Sequence, residues 1–263
     1  MKKFSFLGIL VILVLALSAC GSSDSEGTGD SASGGDSEDK VYKVGVDTTY
    51  PPFEFQEDGE YKGIDIDLIN AIAEDQGFKI QLEPMDFSGI IPAMQAGELD
   101  IAIAGMSITD KRKKVVDFSE PYFEAGLSLV TAEGNSEIKS LEDLNGKTVA
   151  VKKGTTGANF ATENKDKYGF EIVQVNDSTS MFQEVSNGSA DALIEDYPVI
   201  SYAIAQDDLG LQVVGDRLNG DNYGIAVLKG ENDELLKKIN EGLANLKESG
   251  KYDEILNTYL GDQ

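Results

Sequence analysis

Histidine and tryptophan are absent from this 263-residue chain, and cysteine occurs once. Without imidazole there is no Ser-His-Asp triad, no Cys-His dyad and no histidine proton shuttle. A single thiol makes neither an intramolecular disulfide nor a Cys/His zinc site. Cations are scarce as well: 22 Lys and Arg stand against 47 Asp and Glu, a formal charge of −25. Nucleic-acid affinity rests largely on cationic contacts that release counterions, so this charge does not suit a phosphate backbone. No GxxxxGK[ST] string is present to cradle nucleotide phosphates. What is there is 41% hydrophobic, enough for a sizeable core in one large or two medium domains.

The N-terminus reads as a targeting device. Lys2 and Lys3 precede an apolar run at 6–17, shorter than the ~18 residues of a membrane-spanning helix. It fits the apolar region of a secretory signal, and Ser18 and Ala19 are small residues suited to cleavage. Cys20, the sole cysteine, follows directly. This arrangement resembles the lipobox of bacterial lipoproteins, which implies a signal peptide over 1–19 and lipidation of Cys20. An ordinary signal with an incidental cysteine is the alternative. Acyl chains would hold the protein at a membrane surface. Residues 20–40 are then a disordered linker: seventeen of the twenty positions 21–40 are Gly, Ser, Asp or Glu, a composition that cannot offset chain entropy. Its root-mean-square reach is roughly 25 Å.

From residue 41 short strand patterns alternate with helical ones. Strands are predicted at 42–46, 79–82 and 99–104, with helices at 65–76 and 88–96. Gly77 sits where a glycine helix stop belongs. The same grammar restarts with strands at 147–151, 171–175 and 190–194, and helices at 157–164, 178–187 and 198–206. A strand at 224–228 and helices at 232–249 and 252–259 close the chain. GELDIA (97–102) and GSADAL (188–193) correspond, although any α/β protein reuses such grammar. The alternation argues for parallel strands covered by helices in two similar lobes. Lobe I is expected over 41–122 plus 223–263 and lobe II over 127–218, with a hinge at 123–126 and 219–222. In open α/β sheets ligands bind beyond the carboxyl ends of strands, so facing strand ends should form a cleft.

Five strings in one order, DTTYPPFEF (47–55), GIDIDL (63–68), MDFSGIIPAM (85–94), AGMSITDKRKKVVDFS (104–119) and ADALIEDYPV (190–199), carry a family resemblance. From about residue 41 to its end the chain resembles the extracellular solute-binding proteins of polar amino-acid ABC importers, the glutamine-binding members most of all. The resemblance implies an α/β fold of periplasmic-binding-protein type II, with a mixed sheet in each lobe and the ligand between them. It also agrees with a lipid anchor, which Gram-positive members carry.

A free amino acid brings a carboxylate and an ammonium, and a closed cleft must give each opposite charge and full hydrogen bonding. A guanidinium fork suits the carboxylate. The chain has two arginines, Arg112 and Arg217; the resemblance selects Arg112, while spacing alone also allows it to be a solvated helix start capped by Thr109 or Asp110. By the same resemblance Ser107 and Thr156 hold the carboxylate, Thr156 at a helix start whose free N–H groups favour an anion. Gly105 and Asp196 face the ammonium, Asp196 following the predicted strand at 190–194. Tyr50 and Phe87, in loops after strands, clamp the aliphatic stem. Asp47 and Lys152 match positions that contact a side-chain amide, one accepting and one donating, which complements a carboxamide. Glu195 departs from the glutamine-binding pattern, where histidine stands. It could favour arginine or lysine, or simply pair with Lys152 or Lys153.

The expected function is therefore capture of glutamine, or of a basic amino acid, by hinge closure and delivery to a membrane permease. No cofactor and no metal are expected, and a monomer at the outer face of the cell membrane is. Outside transport, the same pocket could serve a sensory module. A small dehydratase using Asp47 and Glu195 as acid and base is the enzyme alternative.

Overall fold

The computed structural model describes residues 40–206 and 208–261. The expected signal segment, Cys20 and the linker up to residue 39 lie outside the described residues. Among the described residues no helix is long and apolar enough to cross a membrane.

Strand β1 (Val41–Val46) enters lobe I with Val44 and Val46 buried. A small antiparallel sheet follows, made of β2 (Thr49–Tyr50), β3 (Glu54–Glu57) and β4 (Glu60–Lys62). Helix α1 (Ile64–Gln76) starts at Gly63 and stops at left-handed Gly77. Gly63 has φ 124°, and a Cβ there would lie 2.2 Å from the Phe53 carbonyl oxygen. Only glycine lets the helix start sit against the backbone of residues 52–54. Next come β5 (Lys79–Pro84), α2 (Phe87–Gln95), β6 (Ile101–Ala102), a 3₁₀ turn at Arg112–Lys114 and β7 (Val116–Phe118). The strand expected at 99–104 is reduced to β6, flanked by bonds from the Asp100 and Ile103 N–H groups to the Lys43 and Gly45 carbonyls, before the chain turns at Gly105, φ +52°.

Strand β8 (Phe123–Ala125) leads to lobe II. There β9 (Leu127–Ala132), a 3₁₀ turn at Leu141–Leu144, β10 (Thr148–Lys152), α3 (Thr156–Tyr168), β11 (Glu171–Val175) and α4 (Ser178–Ser186) follow. Then come β12 (Ala192–Asp196), α5 (Tyr197–Gln206) and β13 (Leu211–Val214). Strand β14 (Asp221–Tyr223) returns antiparallel to β8, and β15 (Ala226–Leu228), α6 (Asp233–Ser249) and α7 (Lys251–Leu260) complete lobe I.

The two main sheets have orders β5-β1-β6-β15-β7 and β11-β10-β12-β9-β13. Both are mixed. Strand β1 runs parallel to β5 and β6, and β10 runs parallel to β11 and β12. β15 and β9 are antiparallel to their neighbours, because each follows a strand that crosses between lobes. The corresponding motifs do the same job in each lobe: Asp100 Oδ2 accepts from the Lys43 N–H at 2.9 Å, and Asp191 Oδ2 accepts from the Thr148 N–H at 2.8 Å. Helix α6 buries Leu235, Ile239, Leu243 and Leu246 on one face against α1. Each such side chain contributes roughly 1.5–3 kcal/mol on burial.

Candidate functional site

The carboxyl ends of β1 and β6 in lobe I face those of β10 and β12 in lobe II across a nearly closed pocket, with a cavity volume of about 10 Å³. Tyr50, Phe87, Gly105, Ser107, Arg112, Lys152, Thr156 and Asp196 line it together with Ala104 and Thr155. Asp47 and Glu195 stand behind the lining rather than in it.

One end of the pocket suits an anion. Arg112 lies in the 3₁₀ turn with Thr109 Oγ1 accepting from its backbone N–H at 3.2 Å, rather than starting a solvated helix. It is buried, with its guanidinium carbon 5.1 Å from the centre of the Phe87 ring. Nη1 donates to the Ser107 carbonyl at 2.7 Å and Nη2 to the Gly154 carbonyl at 3.2 Å. Five N–H donors sit on a guanidinium, so the fork keeps capacity for an anionic guest. Thr155 is the N-cap of α3, accepting from the Ala158 N–H at 3.1 Å; Thr156 is the first helical residue. Its hydroxyl lies 3.5 Å from that of Ser107 across the cleft. Arg217, the competing arginine, stacks on the Tyr197 ring at 4.2 Å and does not line the pocket.

The opposite side suits a cation. Asp196 is the last residue of β12, two residues further into the strand register than expected. Its Oδ2 accepts from the Tyr50 hydroxyl at 2.8 Å and the Tyr223 hydroxyl at 2.5 Å. Its Oδ1 is buried and receives no hydrogen bond among the described residues. A buried carboxylate oxygen without a donor is costly, and an ammonium would satisfy it. Burial pushes the Asp196 carboxyl up, while the two tyrosines pull it back. Burial and the adjacent carboxylates also hold Tyr50 and Tyr223 well above the usual phenol range, so both hydroxyls stay protonated donors.

Lys152, from β10, is almost fully buried and forms an ion pair with Asp47 Oδ2 across the lobes. Asp47 Oδ1 is fixed by the Thr49 N–H at 3.1 Å and hydroxyl at 2.7 Å. Lys152 Nζ also lies 4.7 Å from the centre of the Tyr50 ring. Glu195 does not take the roles left open for it in pairing: its Oε2 accepts from Ser178 at 3.1 Å, and its Oε1 accepts from Tyr50 at 3.1 Å and the Asp196 N–H at 2.8 Å. Lys153 donates instead to Asn176 at 2.8 Å. Burial first, then Asp196, push the Glu195 carboxyl up to about 7.

Two expectations about placement change. Tyr50 belongs to β2 and Phe87 opens α2, so neither sits in a free loop. Tyr223 was not anticipated. It is fully buried on the returning strand β14, with ring centres of Phe53 at 5.0 Å and Phe123 at 6.1 Å. One tyrosine before a glycine and an apolar strand reads as core, and nothing local announces its hydroxyl contact.

The sequence matches the family described as bacterial extracellular solute-binding proteins, family 3, over residues 42–262. Among curated relatives, the ABC transporter glutamine-binding protein GlnH of Bacillus subtilis is 36% identical over 273 residues, covering 99% of this chain and 98% of its own. The arginine-binding extracellular protein ArtP of the same organism is 33% identical, covering 97% and 96%. Two solved structures of an ancestral arginine-binding protein, one bound to arginine and one to glutamine, are each 45% identical with a TM-score of 0.79. They cover 84% of this chain and 98% of their own.

Proposed function

Because this chain belongs to the bacterial extracellular solute-binding proteins of family 3, we propose that it captures free L-glutamine for an ABC importer. The observation that carries the choice of ligand is the buried pair of Lys152 with Asp47. Lys152 lines the pocket beside the Tyr50 and Phe87 rings, with Asp47 paired to it from behind, and the cationic donor and anionic acceptor together complement a carboxamide. A guanidinium or ammonium in that place would meet the Lys152 charge in a low dielectric. Glu195, which could have favoured a basic ligand, spends its oxygens on Ser178, Tyr50 and the Asp196 N–H.

In this reading the α-carboxylate lies on Arg112, Ser107 and Thr156, and the ammonium on Asp196 Oδ1 and the Gly105 carbonyl. Tyr50 and Phe87 cover the stem. The chain closes by bending at its two crossing strands, and closure is favoured by as much as the ligand prefers the closed state. The closed protein then docks on permease subunits, tethered by lipid on Cys20 at the outer face of the membrane. It acts as a monomer and binds without catalysis. Asp47 and Glu195, the pair a dehydratase would use, are engaged by neighbours behind the lining.

Titration calorimetry of the intact protein, unfolded and refolded to strip carried-over solute, tests the assignment against the twenty amino acids. Tight one-to-one binding of glutamine is expected. Preference for arginine or lysine would overturn the choice of glutamine, and silence across the set would overturn amino-acid capture.

A further inference from the structure

Beneath the pocket lie two carboxyl side chains that take no part in lining it. Glu54 opens β3, Asp65 lies in the first turn of α1, and both are fully buried. The close packing of Gly63 on the backbone of Phe53 brings them together, as the Asp65 N–H donates to the Phe53 carbonyl at 2.8 Å. Their surroundings differ sharply. Asp65 Oδ2 accepts from the Gly105 N–H at 2.7 Å and from the Tyr122 hydroxyl at 2.9 Å. Among the described residues no N–H or O–H group donates to either Glu54 oxygen or to Asp65 Oδ1. Of the charges acting on Glu54, the Asp65 carboxylate is the foremost.

Two buried carboxylates in contact repel unless a proton lies between them. The cation nearby, Lys152 of β10, is committed to Asp47. Asp47 adds a third negative charge on Glu54, and Tyr122, which donates to Asp65, is neutral. The start of α1 and two hydrogen-bond donors favour the negative charge on Asp65, so the proton falls to Glu54. We infer that Glu54 is a carboxylic acid whose O–H donates to Asp65, and that the pair is a positioning device for the ligand-binding turn at Gly105.

The turn needs holding. Gly105 has φ +52°, and a Cβ there would lie 2.5 Å from Tyr50 Cε1. Asp65 therefore fixes a residue in van der Waals reach of the ring whose hydroxyl holds Asp196. The chain of contact runs from Glu54 through Asp65 and Gly105 to Tyr50 and Asp196. Burial foremost pushes Glu54 well above the usual carboxylate range and Asp65 to about 6, in keeping with one retained proton.

The inference rests on the glutamine reading only for its binding readout. In the intact ligand-free protein, infrared difference spectra of wild type against Glu54→Gln at neutral pH should show a protonated carboxylic C=O band that the variant lacks. Absence of that band overturns the inference whatever the ligand. Glu54→Gln, whose amide N–H replaces the acid O–H, should bind glutamine within about twofold of wild type. Glu54→Leu strands Asp65 and should bind about tenfold or more weakly. Equal weakening in both variants, or none in Glu54→Leu, overturns the positioning role. Should Glu54→Leu fail to fold, the band and the Glu54→Gln affinity still decide.

Discussion

The two lobes share a sheet order but prepare their half of the pocket differently. In lobe I each candidate binding group has an anchor among that lobe's own atoms, although Arg112 also reaches the Gly154 carbonyl of lobe II and Asp47 pairs with Lys152. Arg112 is anchored on the Ser107 carbonyl, Asp47 on Thr49, and Gly105 on Asp65. In lobe II the groups at the sheet ends finish their hydrogen bonding largely across the cleft. Lys152 needs Asp47, and Asp196 needs Tyr50 and Tyr223. The difference follows from what each first strand runs into. β1 passes into the small β2-β3-β4 sheet, which supplies local donors, whereas β10 passes through a Gly-Thr turn straight into α3. On the capture reading, lobe I is thus a formed half-site and lobe II a set of groups completed by closure.

Breaking the formed half should have the largest effect. Arg112→Ala strands a desolvated carboxylate and should weaken glutamine binding by about two to three orders of magnitude in calorimetry. Asp196→Asn keeps the tyrosine contacts but removes the charge facing the ammonium. A loss of about ten- to a hundredfold is expected, and retention of full affinity would mean that the ammonium lies elsewhere. The cross-lobe pair sharpens the contrast: in a cycle of Asp47→Asn and Lys152→Met, the two losses should couple by about 1–3 kcal/mol. Additive losses would separate those two groups. Least affected should be Glu195→Gln, within a few fold in affinity. Its signature lies in the pH dependence of thermal unfolding. With Glu195 raised from its ordinary value of 4.5 to about 7, the folded state holds the proton more tightly. Its contribution is present at low pH and is lost as pH rises through that window. The variant should therefore lose less stability than wild type between those limits, and identical curves would contradict the raised value.

Much of this was legible in the sequence where one residue type had one physical use. The helix stop at Gly77, the alternation of strand and helix, and the paired Asp100 and Asp191 motifs depend on local rules and stand in the structure as such. The antiparallel strands β9 and β13 escaped notice. The segment LSLVTA is buried on nearly every residue, so it shows no alternation from which to read a strand. The candidate site came through the family strings more than through chemistry, and spacing alone left Arg112 and Arg217 open. For Glu195 the sequence shows a carboxylate but not the three donors that surround it. Tyr223 and the pair Glu54 and Asp65 depend on contacts between residues far apart in the chain, which no local pattern carries.

At the rim of the cleft Lys111 Nζ donates to Asn159 Oδ1 at 3.2 Å, joining the lobes at an exposed point clear of the pocket. Such a contact breaks when the lobes part and touches no guest. On the capture reading proposed above it would set a clock rather than a selectivity: how long a solute stays enclosed would be adjusted at the lip, while which solute is chosen would be decided inside.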